Sequence, residues 1–161
     1  MNKRIQVFLT MFLLSIVLAT SALAASVKID GIYYELYKKG SPFAKVVKGD
    51  GYAGKIVIPN TVTYEGVEYK VTSFAADAFN SNYDITSLVI GDNVTAIEAN
   101  SFTFCRSLYS VTLGKSLVSI GDKAFCWCSG LAVIKFSDSV TSIGTEAFRD
   151  CTSFGIVFRA L

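Results

Sequence analysis

The chain has 161 residues, enough for one domain with a continuous core, and it contains no His. That absence removes the usual Ser-His-Asp and Cys-His arrangements and the commonest transition-metal ligand. Fifteen Lys and Arg face thirteen Asp and Glu over the whole chain, and no basic cluster stands ready to release counterions from phosphates, which argues against a nucleic acid partner.

The first element is a leader. Lys3 and Arg4 precede an apolar run from Ile5 to Ala19, and Ala22-Leu23-Ala24 supplies a small-x-small cleavage site. These are the three parts of a secretory signal peptide over residues 1–24. The alternative is an uncleaved N-terminal anchor, but the run is short for a membrane span and Thr20-Ser21 interrupts it. Cleavage would leave a mature chain from Ala25 with thirteen charges of each sign and no membrane span.

Residues 25–70 read as β-rich. Asp30-Gly31 separates Val27–Ile29 from Ile32–Tyr37, and Asp-Gly suits the positive φ angles of a two-residue hairpin turn. A second extended run, Phe43 to Lys48, ends at Gly49-Asp50-Gly51, and Glu65-Gly66 marks another hairpin. A segment this short seldom builds its own core, so a cap over whatever follows is expected rather than a ligand-binding minidomain.

From Val71 to Leu161 a period of 23 residues governs the chain. Phe79, Phe102, Phe125 and Phe148 are one step apart, as are Val71, Val94, Leu117 and Val140, and Phe74, Ile97, Ile120 and Ile143. Four repeats follow, 71–93, 94–116, 117–139 and 140–161. In each, a segment such as Ile85-x-x-Leu88-x-Ile90-x-x-Asn93 alternates apolar and polar like a strand buried on one face. Asn93 stands where a turn between coils needs a polar side chain, and Ser116 and Ser139 hold the same place. The return segment, clearest as Val140 to Cys151, has room for one or two helical turns after a Gly bend at Gly121 or Gly144. One repeat cannot enclose its apolar side chains, so neighbours must stack.

The Leu-x-x-Leu-x-Leu-x-x-Asn pattern and the Ile-Gly-x-x-Ala-Phe-x-x-Cys signature resemble the BspA-like, Treponema-type class of bacterial leucine-rich repeats over all of 71–161. Ile56 to Val62 resembles one more strand-and-turn unit, interrupted by Thr63 to Lys70. The sequence departs from the signature at Phe74-Ala75, at Asn82 where Cys is usual, and at Arg159 where an apolar residue is usual. The resemblance implies an α/β fold: a right-handed leucine-rich-repeat solenoid with one parallel sheet and short helical or 3₁₀ returns, preceded by the β-rich N-terminal cap. It also implies an exported, non-catalytic protein of the cell surface or periplasm, with adhesion to host matrix or other cell-surface proteins as the role. No cofactor or metal is expected. Binding would use the strand residues that alternate with the core: Ser87 and Val89, Ser110 and Thr112, Val133 and Lys135, Ile156 and Phe158. Val133, Ile156 and Phe158 would form an apolar patch, unless the terminal strand has merely drifted in sequence.

Other readings compete. A self-assembling envelope protein could use an uncapped last coil, since Leu161 falls within the fourth repeat. A paired-carboxylate glycosidase among residues such as Asp122, Asp138, Glu146 and Asp150 is the distant alternative to a solvated face. Cys105, Cys128 and Cys151 share one column; metal spacing is lacking, export favours disulfides, and the resemblance favours buried free thiols, with Cys126 as the exposed one. Phe104 and Trp127 also share a column and should lie side by side on the return side, where packing is the simpler reading. Asn93-Val94-Thr95 matches a glycosylation sequon, discounted because Asn93 already has a place in the turn.

Overall fold

The computed structural model describes residues 26–154 and the backbone of 156–159. The expected leader lies outside the described residues. Strands β1 (Val27–Ile29) and β2 (Ile32–Tyr37) form the antiparallel hairpin that Asp30-Gly31 demands, with φ of 48° and 85° at the two turn residues. Strand β3 (Phe43–Val46) pairs antiparallel with β2. Strand β4 (Gly54–Ile58) follows, then the hairpin of β5 (Thr61–Tyr64) and β6 (Val67–Phe74), closed by Glu65 and Gly66 at φ 49° and 75°.

From there the chain alternates between two sheets. Strands β7 (Ile85–Ile90), β9 (Ser110–Thr112), β11 (Val133–Phe136) and β13 (Ile156–Arg159) extend β4 into a five-stranded sheet in which all the pairs are parallel. Strands β8 (Ala96–Ile97), β10 (Ser119–Ile120) and β12 (Ser142–Ile143) continue from β6 in a second sheet, which also carries β1, β2, β3 and β5. Leu88 pairs with Val111, and Ile97 with Ile120, each one 23-residue step away. The repeat seen in the sequence is therefore the stacking register.

Two expectations fail here. There are two sheets rather than one, and the described residues contain no helix. Each return instead carries two left-handed residues four positions apart. Asp77, Asn100, Lys123 and Glu146 have φ of 59°, 57°, 54° and 57°, and Ser81, Phe104, Trp127 and Asp150 have φ of 60°, 62°, 58° and 57°. A right-handed helix cannot run through such residues. Alternate N–H groups turn to the next coil: Phe79 N donates to Ser101 O at 2.7 Å, and Phe102 and Phe125 N donate to Ala124 and Ala147 O at 2.8 Å. Neighbouring coils thus satisfy the backbone that a helix would satisfy within itself.

The core between the sheets is a ladder of aromatic rings. Phe79, Phe102, Phe125 and Phe148 stack in order with centroids 5.0, 5.1 and 5.4 Å apart and planes within 10°. Around them lie fully buried columns such as Ile85, Leu108 and Leu131. At the other end of the row, Tyr52 packs on Phe79 at 4.5 Å, and its hydroxyl donates to Val47 O at 2.9 Å. Asn82, the departure in the Cys column, has a reason in this contact. Its Nδ2 donates to Tyr52 O and its Oδ1 accepts from Asp84 and Ile85 N, all at 3.0 Å, tying the 47–53 loop to the first coil.

Candidate functional site

Strand alternation and parallel register together generate two outward rows on the five-stranded sheet. Lys55, Ser87, Ser110, Val133 and Ile156 follow one another in one row; Val57, Val89, Thr112, Lys135 and Phe158 form the other. All eight residues singled out from the sequence fall on these rows. The backbone of Ile156 and Phe158 is in register, while their side chains lie outside the described residues. Lys55 and Val57 were missed, although the Ile56-x-Ile58 alternation marks them. At about 4.8 Å per strand, each row of five runs roughly 19 Å.

The middle strands carry small side chains on this face. Ser87, Val89, Ser110, Thr112 and Val133 are half-buried, whereas Lys55, Val57 and Lys135 are exposed. Two cations and no acid are found among its described outward side chains. At the β4 end, Lys55 and Val57 also line a cavity of about 350 Å³ with Asp30, Tyr52 and Ala53, while the small side chains of the middle strands suit a broad partner.

Three of the four carboxylates weighed for acid–base chemistry are engaged in the framework. Asp122 Oδ1 accepts from Thr145 N at 2.7 Å. Glu146 pairs with Lys123 at 3.6 Å and with Arg149 at 2.7 Å, and Arg149 also reaches Asp150 at 3.2 Å. Asp138 is exposed. Among the described residues, no group of three or more Cys, Asp or Glu is arranged to hold a metal ion. Two of the three turn residues behave as expected, Asn93 Nδ2 donating to Asn60 O at 3.0 Å and Ser139 Oγ to Leu117 O at 2.7 Å, whereas Ser116 is exposed.

The four cysteines are free thiols. Cys105, Cys128 and Cys151 form the expected column, and each Sγ donates to a phenylalanine carbonyl of the preceding coil, Phe79, Phe102 and Phe125, at 3.1, 3.0 and 3.1 Å. They are donors in a ladder as well as small core residues. Cys126, expected to be the exposed one, is buried. Its αL neighbour Trp127 takes the outward position instead.

Burial sets the acidity of this core. Loss of water pushes the Cys151 thiol up to about 11 and the Tyr52 phenol to about 12. Cys128 is also raised, first by its hydrogen bond with Cys105 and then by burial. These groups keep their protons in the native state at pH values where the unfolded chain would lose them. The associated stability is therefore present below the unfolded thiol value and is lost as pH rises through the folded values. The melting temperature should fall progressively from about pH 9 to 11 in a calorimetric series, and a flat profile there would contradict the buried thiol column.

The return-side aromatic pair also forms. Phe104 and Trp127 lie 6.1 Å apart with planes 21° from parallel, and Trp127 is 43% exposed.

Among the described residues, no helix is long and apolar enough to cross a membrane. No curated protein sequence matches the chain. Among solved structures, a leucine-rich repeat protein from Bacteroides capillosus is similar at 28% identity and a TM-score of 0.74, over 85% of this chain and 99% of that one. A Bacteroides ovatus leucine-rich repeat protein is similar at 28% identity and a TM-score of 0.56, over 82% of this chain and 40% of that one. A leucine-rich cell surface protein from Faecalibacterium prausnitzii shares the fold at 20% identity and a TM-score of 0.58, over 88% of this chain and 55% of that one. The family model described as a BspA type leucine-rich repeat region of six copies matches residues 70–158, more than half the sequence. With coils stacked at the family's period, the chain belongs to the BspA-type leucine-rich repeat family.

Proposed function

We propose that the chain is an exported, non-catalytic module that adheres to host matrix or other cell-surface proteins through the outward face of the five-stranded sheet. The observation carrying this reading is the register: it aligns ten alternating strand positions in two rows across the five-stranded sheet, with Lys55 and Lys135 as the charges among the described side chains. The description of the F. prausnitzii neighbour as a cell surface protein supports the location. In this reading the chain is a right-handed solenoid of four repeats, with residues 25–70 as its N-terminal cap. Val133 would supply an apolar part of the face together with Ile156 and Phe158, whose backbone continues the two rows.

Val89 and Thr112 are register partners at the centre of the face. Replacing both with Glu puts two acids among small side chains without touching the core. Binding to immobilised collagen, laminin or fibronectin by surface plasmon resonance is expected for the parent chain and reduced at least tenfold in the double variant, with melting unchanged. Equal binding by both proteins would remove the sheet face from the mechanism.

A further inference from the structure

A second surface lies away from the sheet face, at the corner where each return leads into the next strand. Three exposed large aromatic side chains sit there: Tyr109 at 58%, Tyr83 at 53% and Trp127 at 43%. Phe104 lies beside Trp127, and the Arg106 guanidinium stands 5.9 Å from the Phe104 ring centre. Among the described residues Arg106 has no ion-pair partner.

The backbone beneath these rings is unfavourable for them. Phe104 and Trp127 occupy the left-handed position of the return, at φ 62° and 58°. Bulky aromatic residues rarely adopt that conformation, which favours Gly, Asn and Asp. The same column holds Ser81 in the first coil and Asp150 in the last, so the fold does not require an aromatic there. Burial does not compensate for it at Trp127. Strain of this kind, at an exposed position with a specific side chain, points to use rather than to folding.

The column leads into a cleft. Ser81, whose N–H donates to Thr103 O in the Phe104 coil at 2.8 Å, lines a cavity of about 390 Å³ between the first return and the 48–53 loop. Lys48, Asp50, Asn80 and Asp84 line it as well. Asp50 accepts from the Tyr33 hydroxyl with one oxygen, which fixes its carboxylate at the rim. Two coil steps, roughly 10 Å, separate the Ser81 level from the Trp127 level.

This combination selects a chemical class. Phe104 and Trp127 lie side by side, but the exposed Arg106 stands over the Phe104 ring, so the corner mixes aromatic and polar side chains and offers an aliphatic anchor from a protein no dry pocket. The cleft carries both signs of charge, so neither a polyanion nor a polycation is favoured. A pyranose matches both halves: its axial C–H face packs on an aromatic ring, and its hydroxyl rim donates to carboxylates and accepts from ammonium and guanidinium groups. We propose that this corner is a saccharide-binding site, in which the exposed Trp127, held in place by Phe104 beside it, carries a sugar ring and the cleft side chains bind hydroxyls further along the same saccharide chain. The site is independent of the sheet face.

Trp127 is the single tryptophan of the sequence, so its fluorescence reports on this corner alone. The purified protein is titrated with cellohexaose, maltohexaose, laminarihexaose, chitohexaose, xylohexaose and mannohexaose, and with a proline-rich peptide as the competing ligand class. A saturable emission change at up to millimolar concentration of at least one saccharide is expected. The Phe104→Asn variant keeps the reporter and suits the left-handed backbone, so its melting temperature should be equal or higher while its affinity falls about tenfold. No response to any saccharide, a response to the peptide alone, or a saccharide response untouched by Phe104→Asn would each overturn the assignment.

Discussion

Phe102→Ala is expected to lower the unfolding free energy by roughly 3–5 kcal/mol, the range for deleting a buried phenylalanine ring. Phe102 is wholly buried, with Phe79 on one side at 5.0 Å, Phe125 on the other at 5.1 Å, and Phe74 edge-on at 5.2 Å. Its loss removes an apolar ring from the middle of the row and opens a cavity that coils pinned by backbone bonds cannot close. The position in the row matters because each coil touches only its neighbours. An interruption there should weaken coupling between the two ends and broaden the urea transition, beyond shifting its midpoint. Phe148→Ala is the internal comparison: its ring is half-buried in the last described coil, with one row neighbour at 5.4 Å. It should cost less than half as much. Urea unfolding followed by far-UV circular dichroism measures both, and equal losses at the two positions would mean that the ring row is not a continuous core.

The row of rings was legible because its spacing never varies. One number, 23, read from Phe79, Phe102, Phe125 and Phe148, fixes which residues become neighbours in both sheets. The hairpins at Asp30-Gly31 and Glu65-Gly66 were legible for a different reason, since positive φ at two consecutive positions leaves a compositional mark. The return segments were not legible. Asp77, Asn100, Lys123 and Glu146 share a left-handed backbone, yet Lys and Glu carry no local signal for it. Hydrogen bonds from the next coil impose it, and these involve residues 22 positions away, such as Phe79 N with Ser101 O. The second sheet escaped for the same reason, because β8, β10 and β12 are two residues long and have no alternation to display. On the candidate site, alternation alone located the outward residues of β7, β9 and β11, but Lys55 and Val57 needed the pairing of β4 with β7. Cys126 illustrates a further limit. A residue adjacent to a core column takes its direction from the αL turn that follows it, at Trp127.

Gly121→Ala carries the second large effect, and for a reason the sequence alone does not give. A glycine at this bend reads as conformational freedom, but Gly121 is absent from the left-handed positions of the chain. What it supplies is the absence of a side chain. A Cβ built there would meet Ala99 N at 2.7 Å, Glu98 C at 2.8 Å and Ala99 Cα at 3.1 Å, all backbone atoms of the preceding coil, whereas ordinary carbon contacts sit near about 3.5–4.0 Å. No rotamer change relieves a clash with backbone. The coils must separate by several tenths of an ångström, where Gly121 N donates to Ile97 O at 2.8 Å and the sheet is only two residues wide. Ala also restricts the unfolded chain, which would stabilise the protein by about 0.4–1 kcal/mol if the native site tolerated it. Overpacking works against that gain and exceeds it, so the net expectation is a loss of roughly 2–3 kcal/mol. The two contributions have opposite signs, which makes the sign of the measured change decisive. A variant that melts at the parent temperature or above would show that coil stacking at this step is loose enough to accept a methyl group. The close approach of neighbouring coils would then not be what fixes glycine at this turn.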